Sequence, residues 1–128
     1  MGQEMPESKT LEAFIARVEQ NAHAEAIDEF YTENASMREN GGVPRVGRGT
    51  LVAGERKTLA RAKSVRSKCV RPVFVHGDFV VIRWIFEFEW LDGSAARLEE
   101  LAYQRWECSR IAEEQFFYDP AQFKPKPG

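Results

Sequence analysis

A chain of 128 residues, 43% hydrophobic and 30% charged, has the size and balance of one globular domain with its own core. Such a chain needs neither disulfides nor a structural metal to fold. Its formal net charge of −2 argues against a dedicated nucleic-acid binder and against a polybasic membrane anchor.

The opening MGQEMPESK is polar and acidic, without an apolar signal core, and residues 1–8 read as a loose leader. Pro6 stands where a myristoylation start would need Ser or Thr. The longest apolar run is too short to span a bilayer, so a cytoplasmic protein is expected.

Thr10 is placed to cap a first helix with Glu12 in its first turn, and Leu11, Phe14, Ile15 and Val18 form an amphipathic stripe. Asn21 breaks the pattern. Ile27, Phe30 and Tyr31 mark the inner face of a second helix over 23–32. Residues 34–39 read as a short strand with Ala35, Met37 and Glu39 on one side, and Asn40-Gly41-Gly42-Val43-Pro44 as a loop. A third helix spans 50–63, with Leu51, Leu59 and Ala62 inward.

Strands follow at 66–75, 79–91, 97–108 and 110–118, separated by the turn clusters His76-Gly77-Asp78 and Asp92-Gly93-Ser94. That spacing predicts an antiparallel meander. The prolines at 120, 125 and 127 make the tail poor strand or helix material. The order is that of an α+β domain filling 1–128, with its core over about 9–120.

The run FVVIRWIFEFEWL from Phe79 to Leu91 has bulky apolar residues at every even position, from Val80 to Trp90. Side chains alternate faces along a strand, so one face is a wall of aromatics. A curled sheet with helices over that wall would enclose a small-molecule pocket. Arg83 falls on the other face, where pairing with Glu87 is expected. Also on that odd face are Ile85, Leu101, Tyr103 and Phe117, apolar enough to meet a second copy of the chain.

Both cysteines, Cys69 and Cys108, lie in strand-like runs and read as free, buried small hydrophobes. No HxxxH or CxxC spacing suggests a metal. His23 at a helix start and His76 beside a turn show no clear Ser or Cys partner, so a nucleophilic triad is not expected. The basic series Arg56, Lys57, Arg61, Lys63, Arg66, Lys68 and Arg71 is read mostly as the cationic end of the third helix, without the aromatic interleaving of a nucleic-acid site.

Three segments carry a family resemblance: Phe30-Tyr31-Thr32-Glu33-Asn34-Ala35-Ser36-Met37 at the end of the second helix, Gly47-Arg48-Gly49 before the third, and Arg110 to Pro120 in the last strand. In this order they resemble the cone-shaped α+β fold of nuclear transport factor two, ketosteroid isomerase, limonene epoxide hydrolase and the SnoaL-like polyketide cyclases. The resemblance spans roughly residues 9–120. It implies a curved antiparallel sheet around three N-terminal helices, a homodimer and a hydrophobic cup. No cofactor is implied.

The same resemblance puts Glu39 where ketosteroid isomerase carries its catalytic aspartate, and turns Glu114 into the cup. A carboxylate in an apolar cavity is pushed toward useful general-base values. The ligand-contacting set is then Trp84, Phe86 and Phe88 on the wall, Phe116 and Tyr118 beside Glu114, with Tyr31 and Gln104. Two departures argue against ketosteroid isomerase itself: its oxyanion tyrosine aligns near Ala16 and its protonated aspartate near Ala102, and neither alanine donates a hydrogen bond. The expectation is a SnoaL-like acid–base enzyme (isomerase, cyclase, dehydratase or hydrolase) acting on a small hydrophobic molecule. The alternative is a non-catalytic binding or dimerisation module of the same fold.

Overall fold

The computed structural model describes residues 6–123 and the backbone of 126–127. Most of the expected leader and Pro125 therefore lie outside the described residues. Three helices come first: α1 (Ser8–Glu19), α2 (His23–Phe30) and α3 (Arg48–Ala60). The stripe of α1 is buried as its spacing requires, through Leu11, Phe14, Ile15 and Val18. Thr10 is not its cap. Leu11 N–H already bonds the carbonyl of Glu7, so the helix starts earlier and Thr10 lies within it. Asn21 makes the break at φ 66°, a left-handed conformation that Asn tolerates.

α2 ends at Phe30, two residues before the sequence pattern suggests. Tyr31 is already extended and opens β1 (Tyr31–Glu39), where it pairs with Ile111. Tyr and Thr suit a strand at least as well as a helix, so partner strands decide the boundary. Arg45–Val46 form β2, a two-residue strand on β1 that hydropathy does not announce. α3 buries Leu51, leaves Leu59 half-buried and stops before Ala62.

Four strands complete the sheet: β3 (Ala62–His76), β4 (Phe79–Trp90), β5 (Ser94–Glu107) and β6 (Arg110–Phe117). They form the expected antiparallel meander. The order across the sheet is β2-β1-β6-β5-β4-β3, so β1 adds to β6 in parallel. A 3₁₀ turn at Pro120–Phe123 follows. The tail, expected to be poor strand material, contributes β7 (Lys126–Pro127), which pairs with the start of β5. A two-residue edge strand is where proline can be accommodated. This is an α+β cone: a curved, unclosed sheet whose inner face is covered by the helices. No helix among the described residues is long and apolar enough to cross a membrane.

Alternation along β4 holds throughout. Val80, Ile82, Trp84, Phe86, Phe88 and Trp90 are all buried, and between them Arg83 and Glu89 are exposed. On β5 the inward set is Ala96, Leu98, Glu100, Ala102, Gln104 and Trp106. On β6 a bulge at Ala112 shifts the register, since Arg105 pairs with Glu113 but Trp106 with Ile111. The extra residue lets Ile111 and Glu114, of opposite parity, both point inward.

Several outer-face expectations are corrected. Arg83 pairs with Glu99 on β5, while Glu87 pairs with Arg66 on β3, because the register brings those strands' charges nearer than the same-strand neighbour. Of the basic series only Arg56 and Lys57 lie in α3; Arg61 ends it, and Lys63, Arg66, Lys68 and Arg71 run along β3. Charges on an edge strand discourage pairing with other chains. Cys69 is buried, but Cys108 is exposed in the β5–β6 turn at φ 55°.

Candidate active site

Between the concave sheet and the helices lies a cavity of about 410 Å³, within the range of about 300–1,000 Å³ usual for small-molecule sites. β4 supplies one wall: Trp84 and Phe86 stack with ring centroids 5.5 Å apart, and Phe88 continues the row. Phe14 of α1 and Ile27 of α2 lie on the helix side, and Phe116 and Tyr118 close the β6 side. All of these arise from one rule, inward parity on a strand or inward stripe on a helix.

Four carboxyl groups line this otherwise apolar space: Glu39, Glu55, Glu100 and Glu114. Glu114 is 2% exposed. Its Oε1 accepts a hydrogen bond from the Tyr31 hydroxyl, and its Oε2 accepts one from Gln104 Nε2 at 2.6 Å. The amide of Gln104 is itself oriented, because the Trp106 indole N–H bonds Gln104 Oε1 at 2.9 Å. An indole nitrogen can only donate, so Oε1 must face it and the NH₂ must face Glu114. Both oxygens of Glu114 thus receive donors.

Burial pushes the Glu114 carboxyl up, the bonds from Gln104 and Tyr31 pull it back, and the balance stands at about 7. Burial and then the charge of Glu114 hold the Tyr31 phenol well above its ordinary range, so it stays a donor.

Glu100 differs. It is 8% exposed, and among the described residues its carboxyl has no hydrogen-bond or ion-pair partner. Burial, followed by the charges of Glu114, Glu55 and Glu39, raises it to about 8. Glu39 sits at the rim, and its Oε2 accepts a bond from Arg45 at 2.7 Å with both side chains partly in solvent. That is the ion-paired arrangement rather than a carboxylate alone in an apolar pocket.

Glu55 lies 3.3 Å from His23 Nδ1, and His23 Nε2 lies 2.6 Å from Ser67 Oγ. His23 therefore has the serine partner that linear spacing did not show, because Ser67 lies on β3. The hydrogen order opposes a nucleophilic triad. Ser67 Oγ spends its single proton on Asn21 Oδ1 at 2.8 Å, so the His23 ring must donate to it.

Of the expected ligand-contacting residues, Tyr31, Trp84, Phe86, Phe88, Phe116 and Tyr118 line the cavity. Gln104 does not; it is fully buried and donates to Glu114, which does line the cavity. Ala16 is exposed on α1, and Ala102 is fully buried in β5. The tyrosine that reaches the buried carboxyl comes instead from the α2–β1 junction. Two arginines hold that junction: Arg48 and Arg110 each donate to the carbonyl of Tyr31, at 3.1 and 3.0 Å. Glu100, Glu55 and His23 were missed as site residues. The parity of Glu100 with Gln104 was the one signal available in the sequence; the other two become neighbours only through packing.

A family model for the SnoaL-like domain matches residues 11–114. No protein of curated function matches the chain significantly. Among solved structures, a protein with a ketosteroid isomerase-like fold from Catenulispora acidiphila, in complex with trimethylamine, superposes with a TM-score of 0.75 at 14% identity, covering 90% of this chain and 88% of its own. An LEH-like epoxide hydrolase from Mycobacterium tuberculosis gives 0.72 at 15%, covering 89% and 83%. A protein classed as a SnoaL-like polyketide cyclase, from Mesorhizobium loti, gives 0.72 at 16%, covering 87% and 97%. At such identities the structures speak for the fold alone, whereas the family match spans most of the chain: the protein belongs to the SnoaL-like domain family.

Proposed function

We propose that this protein is an acid–base enzyme acting on a small, largely apolar molecule, with Glu114 as its general base. One observation carries the reading: Glu114 is buried on the cavity wall, and both its oxygens are held by oriented donors whose own positions are fixed. A base must have its deprotonated form available near neutral pH and its lone pairs aimed. Burial alone would leave this carboxyl protonated; two donated bonds offset part of that cost and bring it to about 7. In that state it can remove a proton from carbon next to a carbonyl, or from a water attacking an epoxide or enone. Isomerisation, cyclisation, dehydration and hydration all begin with such a step. Glu39, ion-paired at the rim, is placed to meet the polar end of a ligand entering the cup.

A non-catalytic cup would need the aromatic wall but not the Trp106–Gln104–Glu114–Tyr31 wiring. The two are separated by following α-proton exchange into D₂O by NMR for a panel of small cyclic ketones and enones, with epoxide opening assayed in parallel. Wild-type protein should accelerate one of these, and Glu114→Gln should lower the rate by about 100-fold or more. Unchanged turnover in Glu114→Gln would sink the assignment.

We also propose a homodimer through the outer sheet face. Leu101, Tyr103 and Phe117 are each more than 40% exposed there, on adjacent strands, with Phe79 packed edge-on against Tyr103. Light scattering should show a dimer that Tyr103→Glu converts to monomer.

A further inference from the structure

Glu100 is the one cavity carboxyl without a partner among the described residues. Glu39 has Arg45, Glu55 has His23, and Glu114 has Tyr31 and Gln104. The cavity's own cations are committed elsewhere, since Arg45 holds Glu39 and the Arg61 guanidinium lies 5.2 Å over the ring of Trp90. An unpaired buried carboxyl is costly in its ionised form and is normally matched by a counter-charge. Among the described residues no cation is within ion-pairing reach of Glu100.

The neighbours of Glu100 say what kind of charge would fit. In the β4–β5 ladder Glu100 lies directly opposite Trp84, on the same face, so their Cβ atoms stand about 5 Å apart. On the other side, Leu101 pairs with Phe117, which brings Tyr118 to the height of Glu100. Tyr118 and Trp84 both line the cavity, and Phe86 stacks on Trp84. A carboxyl set in a row of aromatic rings matches an organic cation: the rings attract it through their faces, and the carboxylate neutralises it. A metal ion is a poorer fit. It would want several oxygen ligands, and no group of three potential ligands occurs among the described residues.

We infer that the cavity takes molecules bearing a small alkylammonium group, seated between the Glu100 carboxylate and the rings of Trp84 and Tyr118. The inference rests on the same cavity as the acid–base reading and names its substrate class: an apolar body that reaches Glu114, with a cationic amine head at Glu100. Glu114 faces Glu100 from β6 and Tyr118 from just beyond its end, Glu55 from α3, and Tyr31 and Glu39 from β1. No cation among these described groups favours ionised Glu100, and a ligand cation would. A protonated Glu100 giving its hydrogen bond to a neutral ligand oxygen makes the opposite prediction.

The test compares choline with its uncharged isostere 3,3-dimethyl-1-butanol by calorimetry or NMR titration. Wild-type protein should bind choline about tenfold more tightly at about pH 8.5, and choline affinity should rise between about pH 6 and about pH 8.5 as Glu100 ionises. Glu100→Gln should bring the two probes to equal affinity at about pH 8.5, remove the rise in choline affinity above about pH 7, where Glu100 rather than Glu114 titrates, and leave isostere binding unchanged. The wild-type pH series stands as a second measurement should that variant fold poorly. Equal affinities in wild type, binding of neither probe, or a choline preference that survives Glu100→Gln would overturn the inference. Loss of proton exchange in Glu114→Gln without any choline preference would leave the acid–base reading standing alone. A choline preference with no exchange would do the reverse.

Discussion

The two faces of the sheet treat the same residue type in opposite ways. Glu99 and Glu100 are consecutive, as are Glu113 and Glu114, yet one of each pair meets solvent and the other the cavity. Outside, Glu99 bonds Arg83 and Glu113 bonds Arg105 at 2.6 Å, ordinary surface ion pairs. Such pairs contribute about 0–1 kcal/mol. Inside, Glu100 and Glu114 have no arginine, and burial drives both upward, to about 8 and about 7. One residue of strand parity separates a solvated, ion-paired carboxylate from a buried one whose proton is held more tightly.

The largest expected break of this contrast lies in packing. Ile82 is fully buried and its neighbour Arg83 is exposed. Ile82→Ala should cost about 2–5 kcal/mol in urea unfolding, and Arg83→Ala less than about 1 kcal/mol. Comparable losses would mean that the outer face carries stability as well, as an obligate dimer would require. Next comes activity. Glu113→Gln should leave turnover unchanged, beside the loss of about 100-fold expected for Glu114→Gln; a matching loss in both would point to a folding effect.

A smaller change tests the wiring. Tyr31→Phe removes a bond that pulls Glu114 down, so the rising limb of the pH–rate profile should move to higher pH, at a stability cost of about 1–3 kcal/mol. An unmoved limb would separate Tyr31 from the titration of Glu114.

The smallest effect is in stability against pH. Both inner carboxyls bind their protons more tightly folded than unfolded. Their contribution is therefore full below the unfolded value of 4.5 and is lost as pH rises through about 7 for Glu114 and about 8 for Glu100. The melting temperature should fall by roughly several degrees between about pH 5 and about pH 8.5, with the upper part of the fall absent in Glu100→Gln. A flat profile in wild type would mean that neither group is held protonated.

Much of the site could be read along the chain because period two is a local property. The inward placement of Trp84, Phe86 and Phe88 follows from it, and so does the outward placement of Arg83. For Glu114 and Phe116 parity says only that they share a face, and the family resemblance alone implied that this face is the inner one. Partnerships were harder. Arg83 pairs with Glu99 rather than Glu87 because strand register, set by turns and by the bulge at Ala112, decides which charges meet. His23, Glu55 and Ser67 are 32 and 44 residues apart, and only the packing of α2, α3 and β3 joins them. Thr10 and Tyr31 were misplaced for a related reason: local propensity names residues that suit a helix end, while hydrogen bonds already formed on either side settle where the end falls.

Alternating hydropathy and turn residues by themselves determined the α+β order, the antiparallel meander and the aromatic wall, since each depends on neighbours within a few positions. Tertiary structure alone decided that β1 joins β6 in parallel, that Tyr31 and Gln104 both aim at Glu114, and that Glu100 has no partner among the described residues. Those facts depend on side chains brought from strands and helices far apart in the chain. The environment of a carboxyl group, and hence its chemistry, is a property of that assembled surface.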